Sequence, residues 1–141
     1  MKLTKEQDYA IRIVYELLKT NSKMTVAEVS EKTGVTPLFT QKIMRKLSSA
    51  ELVSSVKGNQ GGYVVTRPSR DVSIYDVFKA INGELYINAC LDPESGCCSR
   101  PGIEGAKGGC VIRRAIGILN KDLISSLKKI TFESLLEDEL K

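Results

Sequence analysis

Residues 25–47 read TVAEVSEKTGVTPLFTQKIMRKL, and this stretch alone contains two helices and the turn between them. Thr25 and Glu28 have the spacing of a capping box, in which hydroxyl and carboxylate each satisfy an orphan amide of the first turn. Met24 before the cap and Val29 inside the helix suit a hydrophobic staple. The helix should stop at Gly34, which adopts a left-handed C-cap without a Cβ penalty. Thr36-Pro37 then reads as an N-cap followed by proline at the first helical position. Phe39, Ile43 and Leu47 mark a buried stripe. Thr36, Leu38, Gln41, Lys42 and Arg45 form the other side, with Lys46 near its edge. A short helix, a tight turn and a second, basic helix predict a helix-turn-helix. A plain helical hairpin with a solvated face is the bland alternative.

Upstream, Thr4 and Gln7 make another capping box, and Tyr9, Ala10, Ile13, Val14, Leu17 and Leu18 follow at helical spacing. That helix should end between Thr20 and Lys23. Downstream, residues 52–56 and 63–66 read as short strands around the glycine-rich hairpin tip Lys57-Gly58-Asn59-Gln60-Gly61-Gly62. A hairpin after a helix-turn-helix is a wing, and glycines there allow close approach to a phosphate backbone or minor groove. Arg67-Pro68-Ser69-Arg70 is a basic connection. Ser73 then caps an amphipathic helix bearing Ile74, Val77, Phe78 and Ile81, which closes at Asn82-Gly83.

The next stretch breaks the periodicity. Residues 90–110, CLDPESGCCSRPGIEGAKGGC, hold all four cysteines of the chain, as C-x6-C-C-x11-C, among prolines and glycines that exclude a long helix or strand. Loops of this length are uncommon unless functional or disordered. Thiolates are soft ligands that suit an iron–sulfur cluster or zinc. Beyond Cys110, Ile112, Ile116, Leu119, Leu123, Leu127 and Ile130 step by three and four along a helix of ~27 Å. Such a stripe has few partners in its own chain, so a twin helix from a second subunit is expected, which would suit a two-fold DNA site. The acidic tail, residues 131–141, says little.

The 141 residues, 42% hydrophobic and 27% charged, suit a globular domain with extensions. No apolar run reaches the roughly 18 residues of a membrane span, and the N-terminus lacks a signal-peptide pattern. The expected location is the cytoplasm, where clustered cysteines point to metal or redox chemistry before disulfides. The net charge of +4 is uneven: residues 1–70 carry 12 Lys/Arg and 6 Asp/Glu, whereas residues 71–141 carry 9 and 11. A basic first half points to a polyanionic partner.

In this order, the elements closely resemble the Rrf2 family of bacterial regulators, which includes IscR-like and NsrR-like repressors. The resembling residues are Asp8-Tyr9-Ala10, Val26-Ala27-Glu28-Val29, Phe39-Thr40-Gln41-Lys42-Ile43, Gly58 with Gly61-Gly62-Tyr63, Ile74-Tyr75-Asp76-Val77, and the cysteine loop before the long helix. The resemblance implies homodimeric winged-helix transcription factors whose DNA affinity depends on an iron–sulfur cluster or, in some members, on other inputs. It matches Cys90 to the first ligand and Cys110 to the last, and leaves Cys97 and Cys98 competing for the middle role. Some members add a histidine after the last cysteine. This chain has no histidine, and Arg113 stands at that place. Other members use an aspartate from the first helix of the partner subunit, which corresponds to Asp8.

The expected fold is therefore mainly α with a small β-hairpin wing. It comprises a winged helix-turn-helix over 1–83, a cluster-binding loop over 84–110, and a dimerisation helix and tail over 111–141. Thr36, Leu38, Thr40, Gln41, Lys42 and Arg45 should face the major groove of a pseudo-palindromic operator. Gln41 and Arg45 suit base edges, and Lys5, Lys42, Lys46 and Lys57 suit phosphates. Lys57, Gly58, Gln60, Gly61 and Gly62 belong to the wing. The function expected is a DNA-binding repressor sensing iron–sulfur status, redox state or nitric oxide, with a 4Fe–4S cluster preferred and 2Fe–2S open. A zinc-containing or thiol-based regulator of the same fold is the alternative, as is a member answering to a partner protein. An oxidoreductase or electron carrier fits poorly: no Cys–His pair exists, and the glycine-rich segment lies between strands.

Overall fold

Helix α1 (Lys5–Thr20) begins where Thr4 accepts the Gln7 amide and the Gln7 side chain accepts the Thr4 amide, and it ends at Asn21 in the left-handed region. Its buried face is Ala10, Ile13, Val14 and Leu17. The computed structural model describes residues 2–95 and 109–138. Helix α2 (Val26–Thr33) carries the second capping box, at Thr25 and Glu28, and closes on Gly34 at φ 72°. Helix α3 (Pro37–Ser49) follows, with the Thr36 hydroxyl accepting the Phe39 amide.

The turn between α2 and α3 is locked from inside. The Val35 carbonyl, on a buried residue, accepts the hydroxyls of Ser30 and Thr40. This corrects one expectation: Thr40 is fully buried and fastens the turn, so it cannot face the major groove. The buried stripe of α3 is Thr40, Ile43, Met44 and Leu47. Phe39 sits at its edge, half-buried, with its ring edge-on to Tyr9 at 5.3 Å.

Strands β1 (Val53–Val56) and β2 (Gly62–Val65) form an antiparallel pair in the register Val53–Val65 to Val56–Gly62. Met24, just before α2, adds a bridge to Tyr63: its amide donates to the Tyr63 carbonyl at 3.1 Å, and its carbonyl accepts the Tyr63 amide at 2.8 Å. The wing is thus tied to the helix-turn-helix. Two of its glycines answer to this packing. A Cβ on Gly62 would lie 2.7 Å from the Met24 carbonyl oxygen, and one on Gly61 would lie 2.7 Å from that of Val56. Their small size therefore serves contacts within the chain. Gly62→Ala should destabilise the fold by about 1–3 kcal/mol, because the clash is with backbone that cannot step aside. Urea unfolding measures this, and an unchanged midpoint would contradict the packing argument.

Helix α4 (Ile74–Asn82) starts at a Ser73–Asp76 capping box and buries Ile74, Tyr75, Val77, Phe78 and Ile81. Helix α5 (Val111–Lys129) and short α6 (Phe132–Leu136) complete the helices among the described residues. The chain divides into two compact units, Met1–Gly83 with Leu127–Lys141 and Glu84–Ser126. The tail therefore departs from the single 111–141 segment expected. The Ile74 amide donates to the Ile130 carbonyl at 3.0 Å and the Phe132 amide to the Val72 carbonyl at 2.9 Å. Phe132 is fully buried in the core formed by α1, α3 and α4, with Leu127, Ile130 and Leu135 packed against it. The reason is hydrophobic: the last residues of the apolar stripe find their partners in the first unit.

In the second unit, residues 85–91 lie along one lane of α5. Asn120, buried, accepts the Ile87 amide at 2.9 Å and donates to the Leu85 carbonyl at 3.1 Å. Leu91 packs over Gly117, where a Cβ would lie 3.7 Å from its side chain. Apolar side chains remain outside this lane: Val111, Ile112, Ile118 and Leu119 are each more than half exposed.

Candidate nucleic-acid interface and cysteine loop

Pro37 and the Thr36 cap begin α3 abruptly, and they leave its first turns bare of covering chain. Leu38 is 85% exposed. Thr36, Leu38, Gln41, Lys42 and Arg45 line one shallow recess of ≈ 270 Å³ together with Phe39. These are five of the residues expected to read DNA, brought together on one side of the helix. Lys5 at the start of α1 and the wing residues Lys57, Gly58 and Gln60 are also exposed, whereas Gly61 and Gly62 are half-buried. Gly58, at φ 119°, occupies backbone that favours glycine.

Lys42 and Lys46 are not bare cations. Glu6 of α1 takes Lys42 Nζ at 2.6 Å on one oxygen and Lys46 Nζ at 2.8 Å on the other. Hydrogen bonds from Lys42 and then Lys46 hold the Glu6 carboxyl below its ordinary range. Sequence reading missed Glu6, because its partners lie some 40 residues away and no local spacing announces them.

At the cysteine loop, Cys110 stands directly before α5 as its N-cap. Its buried sulfur accepts the Arg113 amide at 3.4 Å. The Arg113 guanidinium reaches back and donates from Nε to the Cys90 carbonyl at 2.9 Å. One residue thus ties both ends of the loop to the start of α5. The place expected for a histidine ligand holds this clasp, a role visible only once the chain is folded. Within the first residues of the loop, Asp92 accepts the Glu94 amide at 2.9 Å and the Ser95 hydroxyl at 2.8 Å.

Cys97 and Cys98 lie outside the described residues, and among the described residues no three His, Cys, Asp or Glu side chains gather as a metal-binding group. Asp8 stands on α1, with both oxygens engaged by Arg12 at 2.7 and 3.3 Å. That pair is solvent-exposed, and pairs of this kind contribute little and break readily. The donor chemistry at the start of α5 fits an iron–sulfur group: two thiols at the ends of one loop, and an amide directed at one sulfur.

A helix-turn-helix with an exposed polar reading face, followed by a hairpin docked beside it, defines a winged-helix DNA-binding protein. The profile of the Rrf2 family, described as an iron-dependent transcriptional regulator, matches residues 3–138, and the chain belongs to that family. It is a transcriptional regulator and not an enzyme. Protein aau3 of Rhizobium meliloti is 27% identical over 150 aligned positions, covering 100% of this chain and 96% of aau3. Among solved structures, T. potens IscR superposes with a TM-score of 0.75 at 20% identity, over 99% of this chain and 88% of that one. CymR, titled the global cysteine regulator of B. subtilis, gives 0.72 at 18% identity, over 97% of each chain. At these identities the two structures bear on the fold alone. No helix among the described residues is long and apolar enough to cross a membrane.

Proposed function

We propose that this regulator is a homodimeric, cytoplasmic repressor whose operator affinity is set by an iron–sulfur cluster on the 90–110 loop. The observation that carries the reading is the Arg113 clasp, which joins the Cys90 carbonyl to the Cys110 sulfur at the start of α5. Cys90, Cys110 and one of Cys97 and Cys98 would hold the cluster, with Asp8 of a second subunit as the fourth, weakly bound donor. A hard carboxylate among soft thiolates is a corner that oxygen, nitric oxide or iron loss attacks first. When bound, the cluster supplies redox chemistry and reactivity toward such signals. The missing histidine and the available aspartate favour 4Fe–4S over 2Fe–2S. Arg113 orients the loop ends, and Val111, Ile112, Ile118 and Leu119 offer an apolar face to a second copy of α5. Pairing two copies would present two α3 helices to a pseudo-palindromic operator.

Anaerobic purification followed by an absorbance spectrum and assays of iron and sulfide tests the cluster. Visible charge-transfer bands with iron and sulfide together are expected. Zinc, or thiols without metal, would favour the second reading, a thiol- or zinc-based regulator. The extra cysteine of the Cys97-Cys98 pair supports that reading.

On DNA, Gln41 and Arg45 would pair with base edges, Leu38 would meet a thymine methyl, and Lys5 and Lys57 would meet phosphate. Arg45→Ala should lower discrimination between random duplex and an operator selected by the protein from a random pool, at a cost of about 1–3 kcal/mol. Lys57→Ala should weaken both alike and reduce the salt slope by ~0.9. Equal losses on both duplexes for both variants would sink the assignment.

A further inference from the structure

Glu6 occupies the first turn of α1, yet its carboxylate is turned to α3. Its side chain is only 19% exposed, and it holds Lys42 and Lys46, which are one turn apart, on separate oxygens. The Lys42 ammonium is also 5.4 Å from the ring centroid of Phe39, and that ring packs on Tyr9 of α1. Two of the cations on the reading helix are therefore drawn toward α1 and share one negative charge. The three groups together offer a polyanion one net charge where the two lysines alone would offer two.

We infer that Glu6 is a specificity-determining residue, which restrains sequence-independent binding by holding the Lys42 and Lys46 ammonium groups away from phosphate. This rests on α3 being the helix that meets DNA. Binding to random sequence is almost wholly electrostatic, so each charge withheld weakens it directly. On an operator, base contacts from Gln41 and Arg45 seat α3 deeply enough for phosphates to compete with Glu6 for the lysines. On random duplex no such contacts exist, and the lysines stay with Glu6.

Glu6→Gln tests this, because it removes the charge while keeping side-chain volume and the Thr4–Gln7 capping box. Affinity for a short random-sequence duplex should rise by roughly three- to ten-fold at moderate salt. The slope of log affinity against log salt should steepen by ~0.9, the value for one further neutralised phosphate. In a Lys42→Gln/Lys46→Gln background the same change should have no such effect. An unchanged slope, or an equal gain without the two lysines, would overturn the proposal. Arg45→Ala on the selected operator separates it from the interface reading. If Arg45→Ala discriminates as well as the wild type, α3 is not the reading helix and both fail. If it loses discrimination while Glu6→Gln is neutral, only the role of Glu6 fails.

Discussion

Phe132→Ala should lower the stability of the winged-helix unit by about 3–5 kcal/mol, the range for deleting a buried aromatic ring. The residue is fully buried, and its amide bonds to the Val72 carbonyl at 2.9 Å. The core around it comes from residues far upstream, among them Ile13, Val14, Val77 and Phe78. Removing the ring leaves a cavity that the surrounding helices can close only in part. Against a total stability of about 5–15 kcal/mol for an ordinary domain, such a loss is severe. Urea unfolding followed by circular dichroism measures it. Leu119→Ala, on the exposed face of α5, is the contrast, with an expected change within about 0.5 kcal/mol for the isolated subunit. If the two substitutions cost the same, the tail is not part of the head's core.

Cys110→Ser should abolish cluster binding and leave the helix that follows intact. Serine is among the preferred N-cap residues, so it can accept the Arg113 amide as the sulfur does at 3.4 Å. What it removes is the soft thiolate that iron–sulfur chemistry requires. The visible absorbance and bound iron and sulfide should fall to background, with far-ultraviolet circular dichroism unchanged. Retention of the full cluster by this variant would remove Cys110 from the ligand set. Single substitutions of Cys97 and Cys98 then decide which of them is the middle ligand, since only one should behave as Cys110 does. Asp8→Ala completes the series: unchanged cluster stability and DNA affinity would exclude it as the fourth donor.

Much of the head was legible in order. The capping boxes at Thr4 and Thr25 and the caps at Ser73 and Gly34 are local devices, settled within four residues, and they appear where their spacing put them. In the wing, β2 starts one residue early, at Gly62, because Gly62 pairs with Val56 in the hairpin register. Thr40 was misread because a threonine on a polar-looking helix face has no local sign of burial. Its place is decided by the Val35 carbonyl inside the turn. Gly61 and Gly62 suggested access for DNA, and they turned out to make room for neighbouring carbonyls.

The amino-acid sequence by itself determined the main helices, the turn, the hairpin and the family. These depend on interactions between near neighbours or on ordered motifs. Tertiary structure alone decided that Phe132 returns to the core, that Arg113 clasps the loop, and that Glu6 holds two lysines of the reading helix. The Phe132 and Glu6 contacts join residues dozens of positions apart, and so does the Arg113 bond to Cys90. Burial and charge pairing across such distances follow from how the elements pack, and spacing along the chain does not record them.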